Sequence, residues 1–368
     1  MKKLLLILLL GASITALVGV QQKKDFFEFT KTLHGHTSTV TSIIELNPGT
    51  IASGSDDGTI KIWDVASGEL QKTLKDNSIR YISKLIKLSD GRIATISRQG
   101  QPGPYDRFIS IWNITSGQIE LNLYDQQQDY ISDIIELHDG TIASASPDYA
   151  ITIWDLTSGK QLRKFDLQSA AQSLYELHDK QIIFTTYWSG GPAFLGTLDL
   201  ASGQVTRSHS CNFMNPLTVL KNGNIAFGCG KKLIILDTHN QTKEFGNSLN
   251  ALSVIELKDG RLVTGLSYGV IKIWDVNSGT LDQTLTTYGD DSYIKNILRS
   301  MYIIPVDQIA GASRIIQLED GSLVSNAEDN TIKIWSPISD SSGKTGKTSE
   351  EMCRGESSSS TKRRSKIK

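Results

Sequence analysis

Between residues 26 and 336 the chain alternates apolar and polar positions in short runs whose period is two, not 3.6. The runs TIASGS (50–55) and TIKIWDV (59–65) alternate apolar and polar residues with β-branched residues at inward positions, the pattern of half-buried strands. Turn chemistry separates them. Asp90-Gly91, Asp139-Gly140, Asn222-Gly223, Asp259-Gly260 and Asp320-Gly321 tolerate the positive φ of tight hairpins. A second turn recurs as Ser67-Gly68, Ser116-Gly117, Ser158-Gly159, Ser202-Gly203 and Ser278-Gly279. Each unit therefore predicts an antiparallel meander of four strands, a to d.

The unit recurs seven times. Its clearest copy is LNPGTIASGSDDGTIKIWDVASGELQKTL, residues 46–74, and a tryptophan slot falls at Trp63, Trp112, Trp154, Leu198, Leu236, Trp274 and Trp335. Successive gaps of 49, 42, 44, 38, 38 and 61 residues suit a four-stranded blade and are too long for leucine-rich or ankyrin arrays. One small sheet cannot bury both faces, so the copies must stack around an axis. The expectation is an all-β, seven-bladed β-propeller of four-stranded antiparallel blades over residues 25–336. The last copy stops after strand c at Trp335, while Phe26–Leu33 resembles the strand-d segment Glu69–Leu74. The N-terminal strand should thus complete the last blade and leave no exposed edge.

Gly35-His36, Trp63-Asp64 and the turn Ser55-Asp56-Asp57-Gly58-Thr59 resemble the WD-repeat family, and the resemblance extends over about residues 26–336. It implies a buried network in which His36, Asp57 and Trp63 lock the first blade. Trp112, Asp148, Trp154, Trp274, Asp329 and Trp335 are the matching positions elsewhere. Departures are many: only the first copy carries Gly-His, Tyr268 replaces the turn aspartate, and Leu198 and Leu236 replace tryptophan. Those two blades should rely on apolar packing. The family role implied is complex assembly without chemistry.

Charge changes the picture at the ends. The formal net charge is −1, yet residues 25–336 carry 26 basic against 35 acidic residues, a net of −9. An acidic body argues against nucleic-acid binding through the propeller. In residues 1–24, Lys2 and Lys3 precede an uncharged stretch from Leu4 to Val20, which predicts a secretory signal or an uncleaved membrane anchor. Ser13 stands where a lipoprotein cysteine would be. Residues 337–368 are Ser/Lys-rich, with few apolar positions, and read as a disordered basic tail. The expected location is therefore exported, periplasmic or secreted, or anchored with membrane contact through the N-terminus.

Candidate chemistry is sparse. Gly265-Leu266-Ser267-Tyr268-Gly269 fits the G-x-S-x-G elbow but occupies a strand-to-strand turn. His34 and His36 have no ligand cluster beside them in sequence, so no metal and no cofactor are expected. The turns after strand c lack the tryptophan by which quinoprotein blades dock. Three cysteines in 368 residues exclude a disulfide-stapled scaffold; Cys211 and Cys229 are close enough in sequence to pair across neighbouring strands after export, and two buried thiols are the reading preferred.

Insertions supply the best lead. Residues 98–107 and 187–192 lengthen b–c links, and residues 287–309 lengthen a d–a link, so all three project from one end of the ring. Tyr293-Ile294, Ile297-Leu298 and Met301-Tyr302, ended by Pro305, predict a short helix there. Arg98, Tyr105, Arg107, Trp188 and Tyr288, with Tyr81 and Tyr130 at strand-a starts, are the candidate contacts of a protein partner, since aromatic and arginine anchors dominate interfaces. The reading is a non-catalytic, exported scaffold. An exported propeller enzyme with a channel-bound metal or cofactor, and an envelope or complex assembly factor, are the alternatives.

Overall fold

The computed structural model describes residues 26–99, 107–124, 131–177, 180–186, 193–211, 214–246, 251–266, 269–287 and 314–338. These residues form seven four-stranded antiparallel sheets. Blades 1 to 6 span residues 40–75, 79–123, 133–166, 171–211, 214–245 and 251–286, each an a-b-c-d meander. Blade 7 takes its strands a to c from residues 315–337 and its outermost strand from β1, Phe27–Leu33. The register runs from Phe27 opposite Pro337 to Leu33 opposite Ile332. Each strand a touches the strand a of its neighbours, and blade 7 touches blade 1, so the strands surround one axis.

Apolar alternation explains why the blades stack. The core is divided into seven clusters, and each is shared by two adjacent blades. At the closing junction Leu33, Ile332 and Ile334 of blade 7 meet Val40, Ile51 and Trp63 of blade 1. Turn glycines do what their sequence positions predict: Gly91, Gly140, Gly223, Gly260 and Gly321 all have φ between 82° and 92°. Blade 4 has Lys180 at φ 61° in the same turn, where glycine would carry no steric cost.

Inside the blades two packing solutions alternate. Where strand c carries tryptophan, strand b places a hydroxyl residue beneath it. Trp63 Nε1 donates to Ser53 Oγ at 2.8 Å, Trp112 to Thr95 at 3.2 Å, Trp154 to Ser144 at 2.8 Å and Trp274 to Thr264 at 3.0 Å. In blades 4 and 5 the hydroxyl is replaced by Phe184 and Phe227, both fully buried, above Leu198 and Leu236. A bulky ring moves from strand c to strand b, volume is retained and no polar group needs a partner.

One expectation is corrected here. Cys211 and Cys229 are not two thiols: they are joined as a disulfide, with Cα atoms 5.9 Å apart. Cys211 ends strand d of blade 4 (Val205–Cys211) and Cys229 ends strand b of blade 5 (Ile225–Cys229), and the two strand ends meet at the junction between the blades. Their closeness in the chain allowed the pairing across neighbouring strands, and the structure adopts it in place of the two thiols preferred.

Candidate functional site

The most elaborate polar cluster lies in blade 1. Asp57, in the turn between strands b and c, accepts from Thr37 N at 3.0 Å and Thr59 N at 2.9 Å, and its Oδ2 lies 2.8 Å from His36 Nδ1. A carboxylate only accepts, so the proton sits on Nδ1 and His36 Nε2 is left as an acceptor. Ser53 Oγ donates to that nitrogen at 2.8 Å and accepts from Trp63 Nε1. Burial pushes the Asp57 carboxyl up, but hydrogen bonds from His36, Thr59 and the Thr37 amide outweigh it and hold the group well below the usual carboxylate range. In connectivity this is a Ser–His–Asp relay. Ser53 is fully buried, however, and its oxygen is already committed to Trp63, so no substrate reaches it. Gly35 belongs to the same arrangement, because a Cβ there would sit 2.9 Å from the Trp63 ring.

Asp148 and Asp329 occupy the same turn without a histidine above them. Asp148 binds Lys164 Nζ at 3.2 Å, and Asp329 binds Lys333 Nζ at 3.0 Å together with Thr331. Phe29 of β1 packs edge-on against Trp335, with ring centres 6.5 Å apart. His138 is a solvated turn residue paired with Glu176 at 2.6 Å.

Three of the residues expected at the rim lie side by side. Tyr81 on strand a of blade 2 (Ile79–Lys87) is the register partner of Arg98 on strand b (Ile93–Gln99), which is in turn the partner of Arg107 on strand c (Arg107–Trp112). The Arg98 guanidinium lies over the Tyr81 ring at 5.3 Å, and its Nε is buried with no hydrogen-bond partner. Arg107 Nη1 donates to the Ile131 carbonyl at 3.3 Å. Across the blade 1–2 junction stands Asp56. Burial pushes its carboxyl up, the Arg107 charge pulls it down, neighbouring Asp57 pushes it up again and Arg98 pulls it down, with a net rise.

Beside these charges a cleft of about 370 Å³ opens between blades 1 and 2, lined by Asp56, Asp57, Lys75, Asn77, Ile79, Arg80 and Tyr81. Tyr105, Tyr130, Trp188, Tyr288 and the 293–305 segment lie outside the described residues, as do Ser267 and Tyr268 of the G-x-S-x-G stretch. Among the described residues no group of three or more His, Cys, Asp or Glu side chains is arranged to hold a metal ion.

At the opposite end of the ring the structure reveals bonds between blades that the sequence reading missed. The last residue or two of strand a carries an acceptor for a turn amide of the preceding blade. Glu136 accepts from Ser89 N at 2.8 Å, Glu176 from His138 N at 2.8 Å, Glu256 from Lys221 N at 2.6 Å, Gln317 from Lys258 N at 2.8 Å and Glu45 from Glu319 N at 2.9 Å. A second set runs from strand d to the next blade's c–d turn: Lys31 to Val65 O at 3.1 Å, Lys72 to Ile114 O at 2.8 Å, Lys243 to Val276 O at 2.8 Å, and Arg163 to Leu200 O. The signal was present in the chain as a Glu or Gln just before the Leu that opens the a–b turn in five of the seven copies.

With that geometry in hand, the comparison with known families is informative. Residues 27–64 match the WD domain, G-beta repeat family. The match covers this first copy. Its matched span begins in β1, on blade 7, and ends in strand c of blade 1, so the WD repeat as a sequence unit straddles the structural closure of the ring. The full Gly-His, Asp and Trp set of the WD repeat lies within it. No curated protein matches the chain.

Proposed function

We propose that this propeller is a non-catalytic protein-interaction scaffold whose partner docks on the end formed by the b–c and d–a links, over the junction of blades 1 and 2. WD-repeat propellers generally mediate protein–protein contacts, which supports the reading at the level of the fold. The observation that carries it is the convergence of Tyr81, Arg98 and Arg107 with Asp56 beside an open polar cleft. An arginine stacked on a tyrosine is a preformed anchor of the kind that dominates interfaces. The N-terminal lysines and apolar run support export or anchoring of this scaffold.

The test is capture of partners from the source cell's envelope fraction by wild type and by Tyr81→Ala and Arg107→Ala, with melting curves for all three. Loss of the captured protein at unchanged melting supports the reading. Capture that survives both substitutions but fails on variants at the a–b and c–d end overturns it. Fractionation and N-terminal sequencing of the mature chain test export separately.

A further inference from the structure

The junction between blades 4 and 5 is built unlike the rest. At the strand-a position that carries Glu45, Glu136, Glu176, Glu256 or Gln317 elsewhere, blade 5 has Val219, which cannot accept a hydrogen bond. Blade 2 also departs there, yet its Lys87 donates back to Leu46 O. At the strand-d position of Lys31, Lys72, Arg163 and Lys243, blade 4 has Thr206, exposed on the strand and too short to span the gap. Junctions 2–3 and 6–7 lack that cation as well, but Glu136 secures the first and Gln283 secures the second by three bonds to Phe26 and Phe27. Only junction 4–5 has neither kind of tie at these two positions. Its apolar cluster has six buried and six partly buried members among the described residues. The disulfide crosses this junction, and both cysteines pack against that cluster.

We propose that Cys211–Cys229 is a redox latch: a covalent tie across the junction where, among the described residues, neither of these two polar ties forms, and whose reduction loosens the ring there. Reduction by a dithiol moves two electrons. The dithiol's sulfurs join as its own disulfide, and Cys211 and Cys229 each end as a thiol, taking the two protons released. The opening site also bears on the rim, because Ala193, the first described residue after the 187–192 link, pairs with Cys211. The inference does not rest on partner binding, and it agrees with export, since disulfides persist in oxidising compartments.

The experiment uses the full chain isolated from an oxidising compartment under alkylating conditions. Of its three cysteines, one should be alkylated before reduction and all three after it. Adding dithiothreitol should lower Tm by roughly 5 °C, and should accelerate amide exchange selectively in 205–211 and 225–236 and not in blades 1 and 2. The Cys211→Ser/Cys229→Ser double variant should match the reduced protein and ignore the reductant. Adding Val219→Glu to that variant should recover part of the loss by installing the missing acceptor. Three alkylated cysteines before reduction, or exchange at this junction that the reductant leaves unchanged, overturns the proposal. The wild-type comparison decides it even if the serine variant fails to fold.

Discussion

Ser53→Ala isolates the polar lock of blade 1. Ser53 Oγ is the shared partner of Trp63 Nε1 and His36 Nε2, both at 2.8 Å, and none of the three side chains has appreciable contact with solvent. Alanine keeps the strand and removes one oxygen, leaving a buried donor on Trp63 and a buried acceptor on His36 with no partner. Each orphan costs about 1–3 kcal/mol, so the loss is about 2–5 kcal/mol, a large part of the ~5–15 kcal/mol that holds a typical domain together. Calorimetry should register a fall in Tm of roughly 5–10 °C. Attribution requires a cycle with Trp63→Phe, which removes the indole donor. In that background Ser53→Ala orphans only the histidine and should cost at least about 1 kcal/mol less. A Ser53→Ala variant within about 0.5 kcal/mol of wild type, or costs that simply add in the double variant, would refute the assignment of stability to this network.

Other outcomes follow from the same geometry. Deleting residues 26–33 removes buried Phe27 and Leu33 at about 1.5–3 kcal/mol each and strips Gln283 of its partners, whereas deleting 339–368 touches no described residue; calorimetry of the two truncations should separate them widely, and equal melting points would contradict ring closure by β1. Asp57 is depressed in the folded state, so its contribution is intact above the ordinary aspartate pKa of about 4 and is lost as pH falls toward its folded value; urea titrations between about pH 2 and pH 5 should show a steeper acid loss for wild type than for Asp57→Asn. Gly35→Ala should cost about 1–3 kcal/mol by driving a methyl into the Trp63 ring, measured by the same titrations at neutral pH. In blade 3, Trp154→Leu and Ser144→Phe should each destabilise alone, and the pair should recover much of the loss by adopting the packing of blades 4 and 5; additive losses in a double-mutant cycle would show that the two solutions are not interchangeable.

Much of the architecture was legible in the chain because strand alternation and turn glycines are local properties. Asp-Gly and Ser-Gly turns fix strand ends without reference to anything distant, and seven copies repeat the message. The closure by Phe27–Leu33 was legible for a related reason: a missing strand d and a spare one are complementary gaps in a single pattern. The pairing of Trp with a hydroxyl residue, and of Leu with Phe184 or Phe227, was also written in register, but only the sheet pairing shows that the two positions face one another. Arg98 and Arg107 were singled out by loop length and Tyr81 by its place at the start of a strand a, and the ladder explains their proximity by direct cross-strand pairing. What the sequence hid are the interactions between blades. Glu136 does not serve the turn beside it but an amide of the preceding blade, 47 residues away in the chain.

Those inter-blade bonds explain how the ring tolerates such uneven repeats. In a linear stack a weak interface divides the molecule, because nothing else spans it. In a ring, separating one junction requires either straining the remaining six or opening a second, so closure distributes the deficit of any single pair. Blades 4 and 5 dispense with the Trp–hydroxyl bond, which lies within a blade, because Phe184 and Phe227 fill the place, while blade 1 carries the full His–Ser–Trp–Asp set beside the seam. The seam lies beside the blade that joins the first and last strands, and Leu33, Lys31, Glu45 and Trp63 all serve it or border it. Blade 4 lies opposite the seam, and its junction with blade 5 is the one bridged by Cys211 and Cys229.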